Sequence, residues 1–326
     1  MSSSASPAGI ELVHVGLGPI GLHVMSYLDG RDAFRSVAAV DPALAGQTLE
    51  RGGLRVVRDV TELGRRGGVA IHCAGSSLAG AEPTLTALLS SGHHVVSTCE
   101  ELADPWQAQP EVAARLDAVA REHGVVLLGT GVNPGYAMDY LPIVLSASQR
   151  SVRAVDVHRV QDAGLRRLPL QRKVGAGLSV EEFGERVRGG TIRHVGLPES
   201  ARLVNRALGL GCTGFTETID PIVAEKPVAY GEGLVEAGHV LGVDQLVVAS
   251  RDGEALIRLH LQMAVGLPDP RDVITLDGEP GLTSVVRGLH GDSATAAVVV
   301  NTLGRVGRAA PGLRTVDELP ASPQYR

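Results

Sequence analysis

The feature that most constrains this chain is a glycine-rich turn set directly behind a short apolar strand. Leu12-Val13-His14-Val15 runs into Gly16-Leu17-Gly18-Pro19-Ile20-Gly21, and a helix-compatible stretch opens near Pro19. In such a turn the first glycine bends the chain tightly, the second lets the backbone approach a pyrophosphate, and the third allows a helix to pack closely on a strand. Proline suits the first helical position, and the N–H groups of that first turn point at the phosphates.

Glycine-rich turns are common in a chain with 41 glycines, so the context matters. The second strand ends Val37-Ala38-Ala39-Val40-Asp41. This puts an acid about 20 residues past the motif, where it accepts hydrogen bonds from the adenosine ribose hydroxyls. A carboxylate there repels a 2′-phosphate, and no arginine follows until Arg51, so NAD is expected, with NADP as the alternative. The competing reading is a structural turn with Asp41 capping the chain before Pro42.

Strand-like runs alternate with helical ones up to about residue 135. The strands are expected at Glu11 to Val15, Val37 to Val40, Val69 to Cys73, His94 to Thr98 and Val125 to Leu128. Glu111 to His123 places Val112, Leu116, Val119 and Ala120 on one helical face. Such alternation predicts an α/β Rossmann domain, a doubly wound parallel sheet. From Ser151 the chain alternates apolar and polar residues over Ser151 to Val160, Gly214 to Val223, Glu236 to Ser250 and Ala255 to Val265. That predicts a second α+β domain with a largely antiparallel sheet, interrupted by helices at Val180 to Arg188 and Glu199 to Leu208. Gly291 to Arg305 reads as a helix with Asp292 or Ser293 as N-cap, returning to the first domain. The domains expected are therefore 1–135 with about 290–326, for dinucleotide binding, and 136–289, for substrate binding and oligomerisation.

The net charge of −6 argues against a nucleic-acid partner. No apolar run reaches the roughly 20 residues needed to span a bilayer, and MSSSASPAG lacks the basic and apolar regions of a secretory signal. A cytoplasmic protein that binds no membrane is expected. Cys73, Cys99 and Cys212 form no paired motif, and the histidines show no ligand spacing, so neither a disulfide framework nor a metal site is expected. The basic stretch Arg166 to Lys173 could attract an anionic substrate, though a solvated loop is the commoner explanation.

Ligands of parallel sheets lie beyond the carboxyl ends of the strands. Two such ends are His72-Cys73-Ala74-Gly75-Ser76 and Ser97-Thr98-Cys99-Glu100-Glu101. Ala74, Gly75, Ser76, Thr98 and Cys99 therefore join Gly16, Gly18, Pro19, Ile20, Gly21 and Asp41 as candidate cofactor contacts. Glu100 and Glu101 are candidate proton-transfer groups; neighbours on a strand point to opposite sides, so one could face the cofactor and the other solvent. Asn133, before Pro134 and between flexible glycines, is a candidate hinge and a cofactor or substrate contact. His158 and His260, on alternating strands, could line a substrate pocket or be satisfied structural residues.

Several blocks together resemble the native amine dehydrogenase and 2,4-diaminopentanoate dehydrogenase family, whose first domain is related to dihydrodipicolinate reductase. They are GLGPIG at 16–21, STCEEL at 97–102, GTGVNPGYAMD at 129–139, RRLPLQRKVGAGLSVEEF at 166–183, PRDVITLDGEPG at 270–281, GDSATAAVVVNTLGRV at 291–306 and PGLRTVDELP at 311–320. The resemblance implies reductive amination of small ketones or aldehydes with ammonia, or the reverse oxidative deamination. It also implies a strand-end glutamate as proton shuttle, Glu100 or Glu101 with Glu100 favoured, Asn133 and Tyr136 at the substrate, and a homodimer. Two alternatives stay open: an enzyme acting on a diamino acid, and a sensor that binds NAD(P) without turnover.

Overall fold

The computed structural model describes residues 9–64, 67–165, 168–230 and 233–323. The N-terminal Ser/Ala tail and Arg166 and Arg167 of the basic stretch lie outside these. In chain order the first elements are β1 (Ile10–Val15), α1 (Pro19–Ser26), β2 (Phe34–Val40), β3 (Val56–Val57) and β4 (Val69–His72). Then follow α2 (Leu78–Ser90), β5 (His94–Ser97), α3 (Pro110–Glu122) and β6 (Val126–Gly129). The middle of the chain holds α4 (Tyr140–Ser146), β7 (Ser151–Asp162), α5 (Leu168–Lys173), α6 (Val180–Arg188) and α7 (Leu197–Leu208). After it come β8 (Gly214–Val223), β9 (Val228–Tyr230), β10 (Gly233–Val235), β11 (Val240–Arg251), β12 (Glu254–Ala264), β13 (Arg271–Glu279) and β14 (Leu282–Val286). The chain closes with α8 (Gly291–Val306) and β15 (Gly312–Arg314).

Two compact units divide these elements: Met1–Tyr136 with His290–Arg326, and Ala137–Leu289. In the first, seven parallel strands run in the order β15-β6-β5-β4-β1-β2-β3. Apart from the added β15, this is the doubly wound Rossmann order, which reverses between β1 and β4. The strands are nearly continuous runs of buried Val, Leu, Ile and Ala, as a sheet covered on both faces requires. One core lies under α2 and α3, where Leu85, Leu88, Leu89, Leu116 and Ala120 meet Val13, Val95 and Leu127. On the amphipathic α3, Asp117 receives the Leu313 N–H at 2.8 Å and clips β15 beside it.

α8 packs against α1 and β5. Its N-cap is His290, whose carbonyl already accepts the Ala294 N–H at 2.8 Å, so Asp292 and Ser293 fall in the first turn and the expected cap is corrected. The short edge strands β3 and β15 carry too few residues to show a period, and the sequence reading missed both.

The second unit is built on a six-stranded sheet, β14-β13-β7-β12-β11-β8, in which every neighbouring pair is antiparallel except β7 with β12. Its long strands alternate as expected: Val243, Gln245, Val247 and Ala249 are buried, while Asp244, Leu246 and Val248 between them are half-buried. α7 packs on β11 and β12. α6 starts at a capping box in which the Ser179 hydroxyl accepts the Glu182 N–H and the Glu182 carboxylate accepts the Ser179 N–H. Among the described residues no helix is long and apolar enough to cross a membrane.

Candidate active site

The glycine turn joins β1 to α1 where the strand order reverses. Gly16 has φ +85°, and a Cβ there would sit 2.8 Å from the Cys73 carbonyl, so β1 can turn against β4 only with glycine. A Cβ on Gly21 would come 2.0 Å from the Gly16 oxygen, which makes this glycine the contact that lets α1 lie on its own strand. Gly18 meets nothing within 4 Å, so the backbone between those two contacts is open on its outer side. Pro19 and Ile20 begin α1, whose first turn carries no side-chain cap.

Asp41 stands at the end of β2, as its spacing predicted. Its Oδ2 accepts the Leu17 N–H at 2.8 Å and its Oδ1 accepts the Ala43 N–H at 2.9 Å. The carboxylate therefore shapes the glycine turn and closes its own loop. The structural reading and the cofactor reading are compatible, because each carboxylate oxygen has a second lone pair.

β4 and β5 deliver the next two loops. His72 Nδ1 lies 2.9 Å from Ser97 Oγ, and that hydroxyl also accepts the Cys99 N–H at 3.1 Å. Burial lowers His72 to about 4, so it is a neutral structural residue. Burial pushes the Cys73 thiol up to about 12, against a hydrogen bond with Thr98. It does the same to Cys99, helped by the nearby charges of Glu100 and Glu101. Neither thiol is a nucleophile near neutral pH.

Glu100 and Glu101 lie just past the end of β5, on a 3-10 turn spanning Glu100–Leu102, which corrects the expectation that strand alternation sets their directions. They separate around a tight helical turn, not by strand alternation. Glu101 Oε2 accepts the Leu78 N–H at the start of α2 and the Gln109 amide, both at 2.8 Å. Both acids are half-buried. Behind them, a Cβ on Gly129 would fall 2.8 Å from the Leu102 backbone, so the glycine ending β6 lets the turn rest on the sheet.

The loop after β6 packs on α8 of the same unit: the Val132 N–H donates to Thr295 Oγ1 at 3.3 Å. Asn133 is buried, with a cis peptide to Pro134, and Tyr136 is half-buried. The candidates from the glycine turn, Asp41, Ala74–Ser76, Thr98–Glu101 and Asn133–Tyr136 thus all follow the carboxyl ends of the parallel strands. Of Gln109 and Ser97, which tie these loops together, Ser97 is marked in the sequence by its strand-end position and Gln109 by no local signal.

His158 and His260 belong to the second unit, on paired strands β7 and β12. Their rings stack with centroids 4.5 Å apart; His260 Nε2 lies 2.6 Å from Asp244, and His158 Nε2 lies 3.0 Å from Gln262. This cluster occupies the half-buried row that alternates with the core. One strand position along, on the opposite and buried face, Arg159 and Asp272 form an ion pair at 2.5 Å. Lys173 is exposed at the end of α5. Among the described residues no three His, Cys, Asp or Glu side chains are placed to hold a metal.

A Rossmann sheet with this glycine turn, joined to a mixed-sheet domain, defines the class: a dehydrogenase of the dinucleotide-binding type. Residues 136–324 match the family described as 2,4-diaminopentanoate dehydrogenase C-terminal domain. A 2,4-diaminopentanoate dehydrogenase from Acetoanaerobium sticklandii is 31% identical over 260 residues, 77% of this chain and 73% of that protein. The chain belongs to the 2,4-diaminopentanoate dehydrogenase family. An amine dehydrogenase from Streptomyces virginiae is 24% identical over 276 residues, 73% of each protein. The solved structure of an amine dehydrogenase from Mycobacterium smegmatis shares the fold, with a TM-score of 0.83, 24% identity and 97% of both chains covered.

Proposed function

We propose that this chain is an NAD-dependent amine dehydrogenase that joins ammonia to a small ketone or aldehyde and, in reverse, deaminates the amine. The observation that carries this reading is the Glu100–Leu102 turn, which brings two acids to the same carboxyl end of the parallel sheet as the glycine turn. The names of the Streptomyces virginiae and Mycobacterium smegmatis relatives support it.

The residues present fit a nicotinamide dinucleotide. Gly16 and Gly21 hold the turn, Gly18 leaves it open, and the start of α1 offers N–H donors to a pyrophosphate. Asp41 keeps lone pairs for ribose hydroxyls, and its charge opposes a 2′-phosphate, which favours NAD over NADP. When bound, the reduced nicotinamide supplies the hydride that turns an iminium carbon into an amine carbon and is left oxidised.

Glu100 is the proton shuttle, the role that the likeness to the amine dehydrogenases gives a glutamate at this strand end. It takes a proton from nitrogen as ammonia adds to the carbonyl carbon and returns it to oxygen; a second proton, drawn from solvent through the same carboxyl, lets the C–O bond break and water leave. One carbonyl, one ammonia and one proton give one iminium and one water. As a carboxylate, Glu100 then stabilises that cation. Asn133 and Tyr136 contact the substrate, and the enzyme works as a homodimer.

The test is NADH oxidation with small ketones and aldehydes, in ammonium buffer and in ammonia-free buffer. Ammonia-dependent turnover, reduced about 1000-fold by Glu100→Gln, is expected. Equal turnover without ammonia would make the protein a carbonyl reductase. The Acetoanaerobium sticklandii relative favours a second reading, deamination of a diamino acid. NAD reduction with 2,4-diaminopentanoate, exceeding that with simple amines, would establish it.

A further inference from the structure

We propose that Glu101 is a positioning residue: with Gln109 it forms a strap that fixes the Glu100–Leu102 turn to the start of α2. This rests on the reading of Glu100 as proton shuttle and names what holds that shuttle in place.

The strap binds on both sides of one loop. The Glu101 N–H donates to the Ser76 carbonyl at 3.3 Å, while its Oε2 accepts the Leu78 N–H at 2.8 Å. Backbone and side chain of one residue thus grip the segment that links β4 to α2. Gln109, just before α3, donates to the same oxygen at 2.8 Å and ties in a third segment. A negative charge suits the N-terminus of α2, a helix with no side-chain cap of its own at Ser77. On the other side, Gly129 admits the Leu102 backbone so closely that a Cβ would fall 2.8 Å from it. The turn is clamped between the strap and the end of β6.

Successive side chains of a 3-10 turn diverge by about 120°, so holding Glu101 against α2 sets the direction in which its neighbour Glu100 leaves the turn. Anchoring Glu101 therefore helps to aim Glu100.

The experiment compares wild type, Glu100→Gln, Glu101→Gln, Glu101→Ala and Gln109→Ala in ammonia-dependent NADH oxidation across pH, with the ketone that wild type turns over fastest. NADH affinity and Tm are measured on each. Glu101→Gln keeps an acceptor oxygen, so kcat stays within about threefold of wild type with the same pH profile. Glu101→Ala lowers kcat by about 100-fold with NADH affinity maintained, the loss expected when a reactive group is misplaced by about an ångström. Gln109→Ala, which removes one hydrogen bond, lowers kcat about fivefold.

The strap is overturned if Glu101→Gln is as inactive as Glu100→Gln and loses the same pH inflection, or if Glu101→Ala keeps the wild-type kcat. Should Glu101→Ala fail to fold, Glu101→Gln and Gln109→Ala decide. Should wild type show no turnover, the functional reading fails, and amide exchange at Leu78 still tests the strap. Protection lost in Glu101→Ala and kept in Glu101→Gln sustains it; unchanged protection in both refutes it.

Discussion

The loops beyond the parallel sheet and the half-buried face of the mixed sheet both gather polar side chains, but by different physical means. In the first unit the constraint is backbone against backbone: Gly16 against Cys73, Gly21 against Gly16, Gly129 against Leu102. Side chains such as Asp41 and Glu101 then bond to backbone N–H groups that this close approach has brought within reach. In the second unit the His158, His260, Gln262 and Asp244 cluster rests on cross-strand register alone, side chain to side chain. The first arrangement admits almost no substitution at its glycines. The second tolerates change, because neighbouring side chains on a half-exposed sheet face can repack.

The sharpest way to break this comparison is Gly21→Ala. The added methyl would meet a backbone oxygen at 2.0 Å, with no flexible side chain to yield. Overpacking of this kind costs about 3 kcal/mol, and here it separates α1 from β1. NADH binding by fluorescence should be lost while a folded second unit is retained. Binding at wild-type affinity would mean that the turn has slack the geometry denies.

Acid should also act mainly on the first unit. Burial holds His14 and His72 at about 4, against an unfolded value near 6.5. Both are therefore neutral when folded, and below pH 6.5 the unfolded chain binds the extra protons. Their contribution is complete above pH 6.5 and is lost as pH falls toward 4, about 3 kcal/mol for each residue over that window. Tm should drop steadily from pH 6.5 to 4, and the drop should be shallower in a His14→Gln, His72→Gln double variant. A Tm that does not move between pH 7 and 5 would contradict the assignment.

Gly129→Ala tests the link from backbone contact to chemistry. Displacing Leu102 moves the acidic turn without touching the glycine turn, so kcat should fall about 10- to 100-fold while NADH affinity holds. A fall in NADH affinity of the same size, with kcat unchanged, would instead tie β6 to cofactor binding.

These differences explain what could be read from the residues. Glycines forced by close approach leave a mark in the sequence, as do continuous apolar runs, so the parallel sheet and its turn were legible. The anchoring of Glu101 was not: Leu78 and Gln109 lie 23 and 8 residues away, and no local pattern connects them. For the same reason the 3-10 turn leaves no mark in the sequence, since three residues carry no period. On the mixed sheet the alternation revealed which residues share a face, but the stacking of His158 on His260 depends on a parallel pairing of β7 with β12 that no local run of residues encodes.

The smallest expected effect comes from that stacked pair. His260 and Asp244 are both 31% exposed, and pairs so open to solvent contribute little, so His260→Ala should destabilise the protein by under about 1 kcal/mol. Because the cluster stands in the row that alternates with the buried one, KM for the carbonyl substrate should change by less than about threefold. A larger rise in KM with kcat unchanged would return His158 and His260 to the substrate pocket that their strand positions first suggested. It would also mean that side-chain register, and not only backbone approach, builds the active site of this enzyme.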